Sequence, residues 1–117
     1  YFGGRIRLKG FETATPPARQ VPPVHAFQAH VATLGVHFYE GAMFPSLQGL
    51  ALVAEHGSWN RTVPVGRQVV SVDLGHAERP ARPLLSNIGR PVDIEELPDG
   101  SIVISDDAGG RIWHVSR

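Results

Sequence analysis

Residues 53–70 read VAEHGSWNRTVPVGRQVV. The apolar run Leu50, Ala51, Leu52, Val53, Ala54 stops at Glu55 and His56, and a second run, Val69, Val70, Val72, begins only after Pro64 and Gly66. Two short runs rich in Val and Leu, separated by Gly, Pro and Asn, are the pattern of antiparallel strands joined by a loop. Glu55, His56, Trp59, Asn60 and Arg61 then stand together at one strand end, a concentration of polar and aromatic chemistry that a plain turn does not need.

Outward from this pair the same grammar continues. Apolar runs at 34–39, 82–85, 91–95, 101–105 and 111–116 are punctuated by Gly, Pro, Asp and Asn, and no helical period is sustained over ten residues. The runs also repeat: LALVAEHGS, a loop, Gly66-Arg67 and QVVSVDL lie over SIVISDDAG, Gly110-Arg111 and IWHVSR. Leu97-Pro98-Asp99-Gly100 is a hairpin signal, because Pro presets φ and Gly accepts positive φ. These features predict an all-β chain of antiparallel four-stranded meanders stacked as β-propeller blades. Residues 34–87 are expected to form one four-stranded blade, and residues 88–117 three strands of the next, without its outer strand. Residues 1–33 are expected to be a proline-rich linker, since TATPPARQVPPVHAFQAH (13–30) holds four prolines.

Bulk composition narrows the function. Eleven acidic and eleven basic side chains leave no net charge, which disfavours a nucleic-acid partner. Cysteine is absent, excluding disulfides, thiolate metal sites and cysteine nucleophiles. No apolar run approaches the roughly 20 residues of a membrane span, and residues 1–5 lack the pattern of a signal peptide. The first residue is not methionine, so a piece of a longer protein is expected.

The segments LGVHFYEGAMFP, LALVAEHGSWNRTVPVGRQVVSVDL and GRPVDIEELPDGSIVISDDAGGRIWHV resemble the C-terminal part of the glucose/sorbosone dehydrogenase family, in its sorbosone dehydrogenase-like branch. The resemblance implies the last two blades of a six-bladed propeller, periplasmic or secreted, that oxidises a sugar or aldose with pyrroloquinoline quinone and Ca²⁺. It implies that Asn60, Arg61 and Arg90 face the cofactor's carboxylates and quinone oxygens; a second arginine of some relatives is Val92 here. Trp59 could stack on the flat ring system or plug a gap between blades, and His56 could line the same mouth or pair with Glu55. The family's catalytic histidine and Ca²⁺ ligands have no counterpart in this sequence, so neither catalytic nor metal residues are assigned and no activity is expected of the segment alone. The histidines at 25, 30, 37, 56, 76 and 114 show no metal-ligand spacing. Asp106-Asp107 before Gly109-Gly110 lacks the alternating oxygens of a Ca²⁺ loop and reads as a strand-end turn. Two other functions remain open: a two-blade protein that assembles, for example as a trimer, into a ligand-binding ring, and a structural propeller in which Arg61 and Arg90 are surface charges.

Overall fold

The structure, a computed structural model, describes residues 8–15 and 17–117; the expectations for residues 1–7 and for Pro16 lie outside them. Among the described residues seven strands form two antiparallel sheets. The first holds β1 (Thr33–Phe38), β2 (Ala51–Glu55), β3 (Gln68–Val72) and β4 (Arg82–Ser86), and the second β5 (Pro91–Glu96), β6 (Ile102–Asp106) and β7 (Arg111–Val115), each ordered as in the sequence. Two consecutive up-and-down meanders packed face to face are β-propeller blades. Short 3-10 turns at Pro45–Leu47 and Leu74–His76 are the helical elements of the described residues.

Burial explains why β2 and β3 read as nearly continuous apolar runs: every residue of β2 is buried, as is all of β3 except its first. Each of these central strands is covered on both faces. On one face Leu52, Ala54 and Val69 meet Ile94, Ile102 and Ile104 of the second sheet. On the other, Ala51, Val53, Val70 and Val72 are covered by Phe27 and Ala81. The edge strand β4 accommodates Pro83, which an interior strand would not, at a register shift opposite Val69 and Val70.

The segment before β1 is therefore more than a linker. Phe27 packs on the first sheet, His25 Nδ1 lies 3.0 Å from the Ala77 carbonyl, and His25 and Phe27 meet edge to face. Strand-like pairing also begins before residue 34. The Ala32 and Val31 carbonyls accept from the His56 and Gly57 amides at 3.0 and 2.8 Å, and Thr33 already belongs to β1.

The two sheets approach closely along β1 and β5. A Cβ on Gly35 would lie 2.5 Å from Asp93 Oδ1 and 2.7 Å from its Cα, so only glycine lets the two backbones come together there. At one end of this contact the buried Tyr39 hydroxyl donates to the Gly100 carbonyl at 2.6 Å and accepts from the Phe44 amide at 3.1 Å. Beside it the Glu40 amide donates to Glu96, which also meets the Gly41 amide and has His37 at 3.5 Å. The Glu40 amide, first among these contacts, holds the Glu96 carboxyl below its ordinary pKa.

The outward faces remain open. Leu34, Val36 and Phe38 form a row on β1 that is about half exposed, and Ile112 is exposed on β7. A blade buries both of its faces between neighbours, so further blades, of this protein or of another copy, are needed to cover these rows. Tyr39→Phe strips the Gly100 carbonyl and the Phe44 amide of a buried partner; a loss of about 1–3 kcal/mol is expected in denaturant unfolding of the complete protein.

Candidate functional site

β1 and β5 begin at the same end of the two sheets at which β2 and β6 finish. Three connections therefore gather there: residues 56–67 after β2, 87–90 before β5, and 107–110 after β6. Glu55, His56, Trp59, Asn60 and Arg61 all belong to this end.

Arg90 is at its centre, half-buried between the sheets. Its Nη2 approaches His56 Nδ1 at 2.8 Å and donates to the Gly57 carbonyl at 3.1 Å, and Nη1 donates to the Ser58 carbonyl at 3.4 Å. A guanidinium has donors only, so His56 Nδ1 must present its lone pair. The imidazole is then neutral, with its proton on Nε2, and Nε2–H is donated to the Asp107 carboxylate at 3.0 and 3.1 Å. Arg90 Nε lies 3.4 Å from the same Nε2, a longer approach to a nitrogen already engaged as a donor. One Nη1–H of Arg90 remains for a ligand.

The backbone of Arg90 is fixed as firmly as its side chain. Its amide donates at 2.8 Å to Oδ1 of Asp106, which also accepts from the Gly109 amide at 3.1 Å. Asp106 is only 2 % exposed, and Oδ2, which lacks a hydrogen bond among the described residues, has Arg111 Nε 3.5 Å away. The Arg90 amide, first of several donors, holds the Asp106 carboxyl below its ordinary value of 3.8 against the opposing effect of burial. Gly89 gives the carboxylate its space: at φ +86° a Cβ would fall onto Asp106 Oδ1, Cγ and Oδ2. Asp106 thus ties its turn together on backbone amides.

The other expected site residues separate from this cluster. Residues 59–64 form an exposed loop, pinned at its base by the Ser58 amide on the Val65 carbonyl and the Val65 amide on Ser58 Oγ, at 2.9 and 3.1 Å. Trp59 is 84 % exposed, so it plugs no gap between these two blades; Asn60 and Arg61 stand beside it in the same open loop. Glu55 and His56 do not pair. Strand alternation turns them apart, and the buried Glu55 instead accepts from Gln68 Nε2 at 2.8 Å. Val92 is half-buried in β5. Asp107, read from sequence only as part of a turn, is the residue that joins His56 to the second blade; its one signal was an acidic pair at a strand end, mirroring Glu55-His56 in the preceding copy.

The sequence profile described as TrAA12-like matches residues 9–89, most of the chain. The chain belongs to the TrAA12-like family. It is 39% identical over 127 residues to an uncharacterised protein of Borreliella burgdorferi, covering 97% of this chain and 34% of that protein. Among solved structures it is similar to a Trichoderma reesei protein of Carbohydrate-Active Enzymes Family AA12 in its calcium structure, at 28% identity and TM-score 0.67, covering 82% of this chain and 27% of that one. It is also similar to the holo form of the pyranose dehydrogenase PQQ domain of Coprinopsis cinerea, at 26% identity and TM-score 0.69, covering 83% and 29%. The chain spans about a third of the length of these relatives. Membership agrees with the quinone-dependent sugar dehydrogenase resemblance carried by the HGSWNR and SDDAGGRI segments, and connects this TrAA12-like chain with pyrroloquinoline quinone at the level of the family.

Two outcomes follow from the Asp106 cluster. Gly89→Ala combines a left-handed φ with a clash against a buried carboxylate, and is expected to cost at least about 2 kcal/mol in unfolding measurements on the complete protein. A carboxyl whose folded pKa is depressed contributes stability that is present above its unfolded pKa and lost as pH falls through its folded value. The complete protein should therefore lose stability on acidification from its ordinary value of 3.8 downward, and Asp106→Asn should flatten that part of the stability–pH curve.

Proposed function

We infer that the chain supplies part of the cofactor wall of a soluble pyrroloquinoline quinone-dependent dehydrogenase acting on a sugar or aldose. The observation that carries this reading is Arg90: a guanidinium held rigidly between two blades, at the strand ends where loops converge, with donor capacity to spare. A tricarboxylate cannot be enclosed without cations and N–H donors to meet it, and a preorganised guanidinium binds a carboxylate at little cost in side-chain entropy. The residues present fit such a ligand as a partial wall. Arg61 and Asn60 extend the same polar end through the exposed loop, and Trp59 offers a free aromatic face beside them.

When bound, the quinone supplies the acceptor for two electrons and a proton from the sugar. The role assigned to this chain is to orient that group. Arg90 would meet a carboxylate or quinone oxygen with Nη1–H, while His56, Gly57 and Ser58 keep the guanidinium from turning away. Among the described residues there is no group of three or more His, Cys, Asp or Glu side chains that could hold a metal ion. Ca²⁺ in this reading is held by ligands from blades outside the chain, as is the histidine that takes the hydroxyl proton. Location in the periplasm or outside the cell belongs to the same reading. The open faces of the sheets fit a ring completed by more chain and equally a ring of copies, such as a trimer, used for binding alone; only the second requires assembly to depend on concentration.

The test is titration of the complete protein with pyrroloquinoline quinone. Arg90→Ala should weaken binding by about 1.5–3 kcal/mol, the range for a hydrogen bond to a charged group. An unchanged affinity would remove Arg90 from the site and leave it a strut between blades.

A further inference from the structure

We propose that Asp107 and His56 act as a positioning relay for Arg90, so that the direction of the guanidinium is set by the protonation state of one imidazole. The inference rests on the reading of Arg90 as a cofactor contact, but its physical basis is independent of any ligand. Asp107 accepts from His56 Nε2 at 3.0 Å, and Arg90 Nη2 reaches His56 Nδ1 at 2.8 Å. The carboxylate claims the imidazole's single proton, which leaves a lone pair on the nitrogen facing the guanidinium. The three groups come from three different connections: Asp107 follows β6, His56 follows β2 and Arg90 precedes β5.

Protonation of His56 reverses the contact with Arg90. Nδ1 would then carry a hydrogen and face Nη2 as donor against donor and cation against cation, while the bond to Asp107 would strengthen. The groups that face the imidazole are Asp107 from the second blade, Arg90 from the connection between blades, and the Gly57 and Ser58 carbonyls that share Arg90. Beyond them Asp106 and Arg111 face each other at 3.5 Å, and Asp106 keeps hold of the Arg90 backbone. Acidification therefore removes the His56 contact that directs Arg90 and leaves its bonds to the Gly57 and Ser58 carbonyls and the hold of Asp106 on its backbone. Arg90 is the residue that would touch the cofactor; His56 and Asp107 act on the cofactor only through it.

Three variants of the complete protein separate this relay from simple packing. His56→Phe keeps the ring and removes the acceptor. His56→Gln keeps an acceptor and a donor but cannot titrate. Asp107→Ala removes the group that sets the tautomer. In nitrogen-15 spectra of the unliganded protein, His56 should show a pyridine-like Nδ1, and the Arg90 Nε–H signal should be ordered near neutral pH. That signal should broaden in His56→Phe, in Asp107→Ala and, for the wild type, on acidification. Titration with pyrroloquinoline quinone should show an affinity about tenfold weaker in His56→Phe, near wild type in His56→Gln, and less sensitive to acidification in His56→Gln than in the wild type. Arg90 signals that ignore His56→Phe and acidification would overturn the relay whatever the quinone does. If those signals respond as expected while Arg90→Ala binds the quinone normally, the relay stands and the cofactor-wall reading fails.

Discussion

A single buried carboxylate organises the loop end of this molecule. Asp106 ends β6, and in place of an ion pair with solvent around it, its Oδ1 takes two backbone amides, one from the connection between blades and one from its own turn. The desolvation of a nearly inaccessible carboxylate is offset by those donors and by the nearby Arg111, itself lying over the Trp113 ring. Because one of the two amides is that of Arg90, the carboxylate decides where the arginine's backbone stands before its side chain is considered. The side-chain contacts to His56, Gly57 and Ser58 then become contacts between fixed points, and such contacts cost little order to form.

The same logic of fixed points runs down the interface between the sheets. Gly35 allows β1 and β5 to touch, the Ile94, Ile102 and Ile104 face fills the space beside them, and Tyr39 closes the far end on the Gly100 carbonyl. Polar ties at both ends and an apolar middle resist both sliding and splaying of the blades. A slip of one residue in β6 would take Asp106 off the Arg90 amide and turn its apolar residues away from the first sheet. Register and site geometry are thus one constraint.

Much of this was legible in the sequence because propeller blades are built from short local meanders. The seven runs match the seven strands within about a residue, since turn residues such as Pro98, Asp99 and Gly100 act where they stand. The role of residues 25–32 was not legible: nothing in a proline-rich stretch announces that Phe27 packs on the face of Ala51, Val53, Val70 and Val72, a contact that depends on where the chain is led after folding. The candidate site divides in the same way. Arg90 between Gly89 and Pro91 was recognisable as a positioned charge, whereas its coupling to His56 spans 34 residues and that of His56 to Asp107 spans 51, separations at which spacing carries no signal. Glu55 and His56, adjacent in sequence, were the tempting pair, and strand alternation separates them.

The charges of the cluster set a limit on what this chain can do by itself. Asp106 and Asp107 are balanced by Arg90 and Arg111, with His56 neutral, so the cluster is internally compensated before any ligand arrives. An anionic cofactor brought against Arg90 would add negative charge close to Asp107, and that carboxylate repels what the guanidinium attracts. A multiply charged anion at this end accordingly requires cations beyond the cluster. Within the chain, Arg61 in the exposed 59–64 loop is the nearest in sequence, and among the described residues its loop is anchored at the Ser58 and Val65 base. A rigid, compensated arginine that fixes orientation and one on an open loop, without a partner among the described residues, are complementary means of holding an anion. The remaining charge falls to the blades that the open faces of Leu34, Val36, Phe38 and Ile112 await.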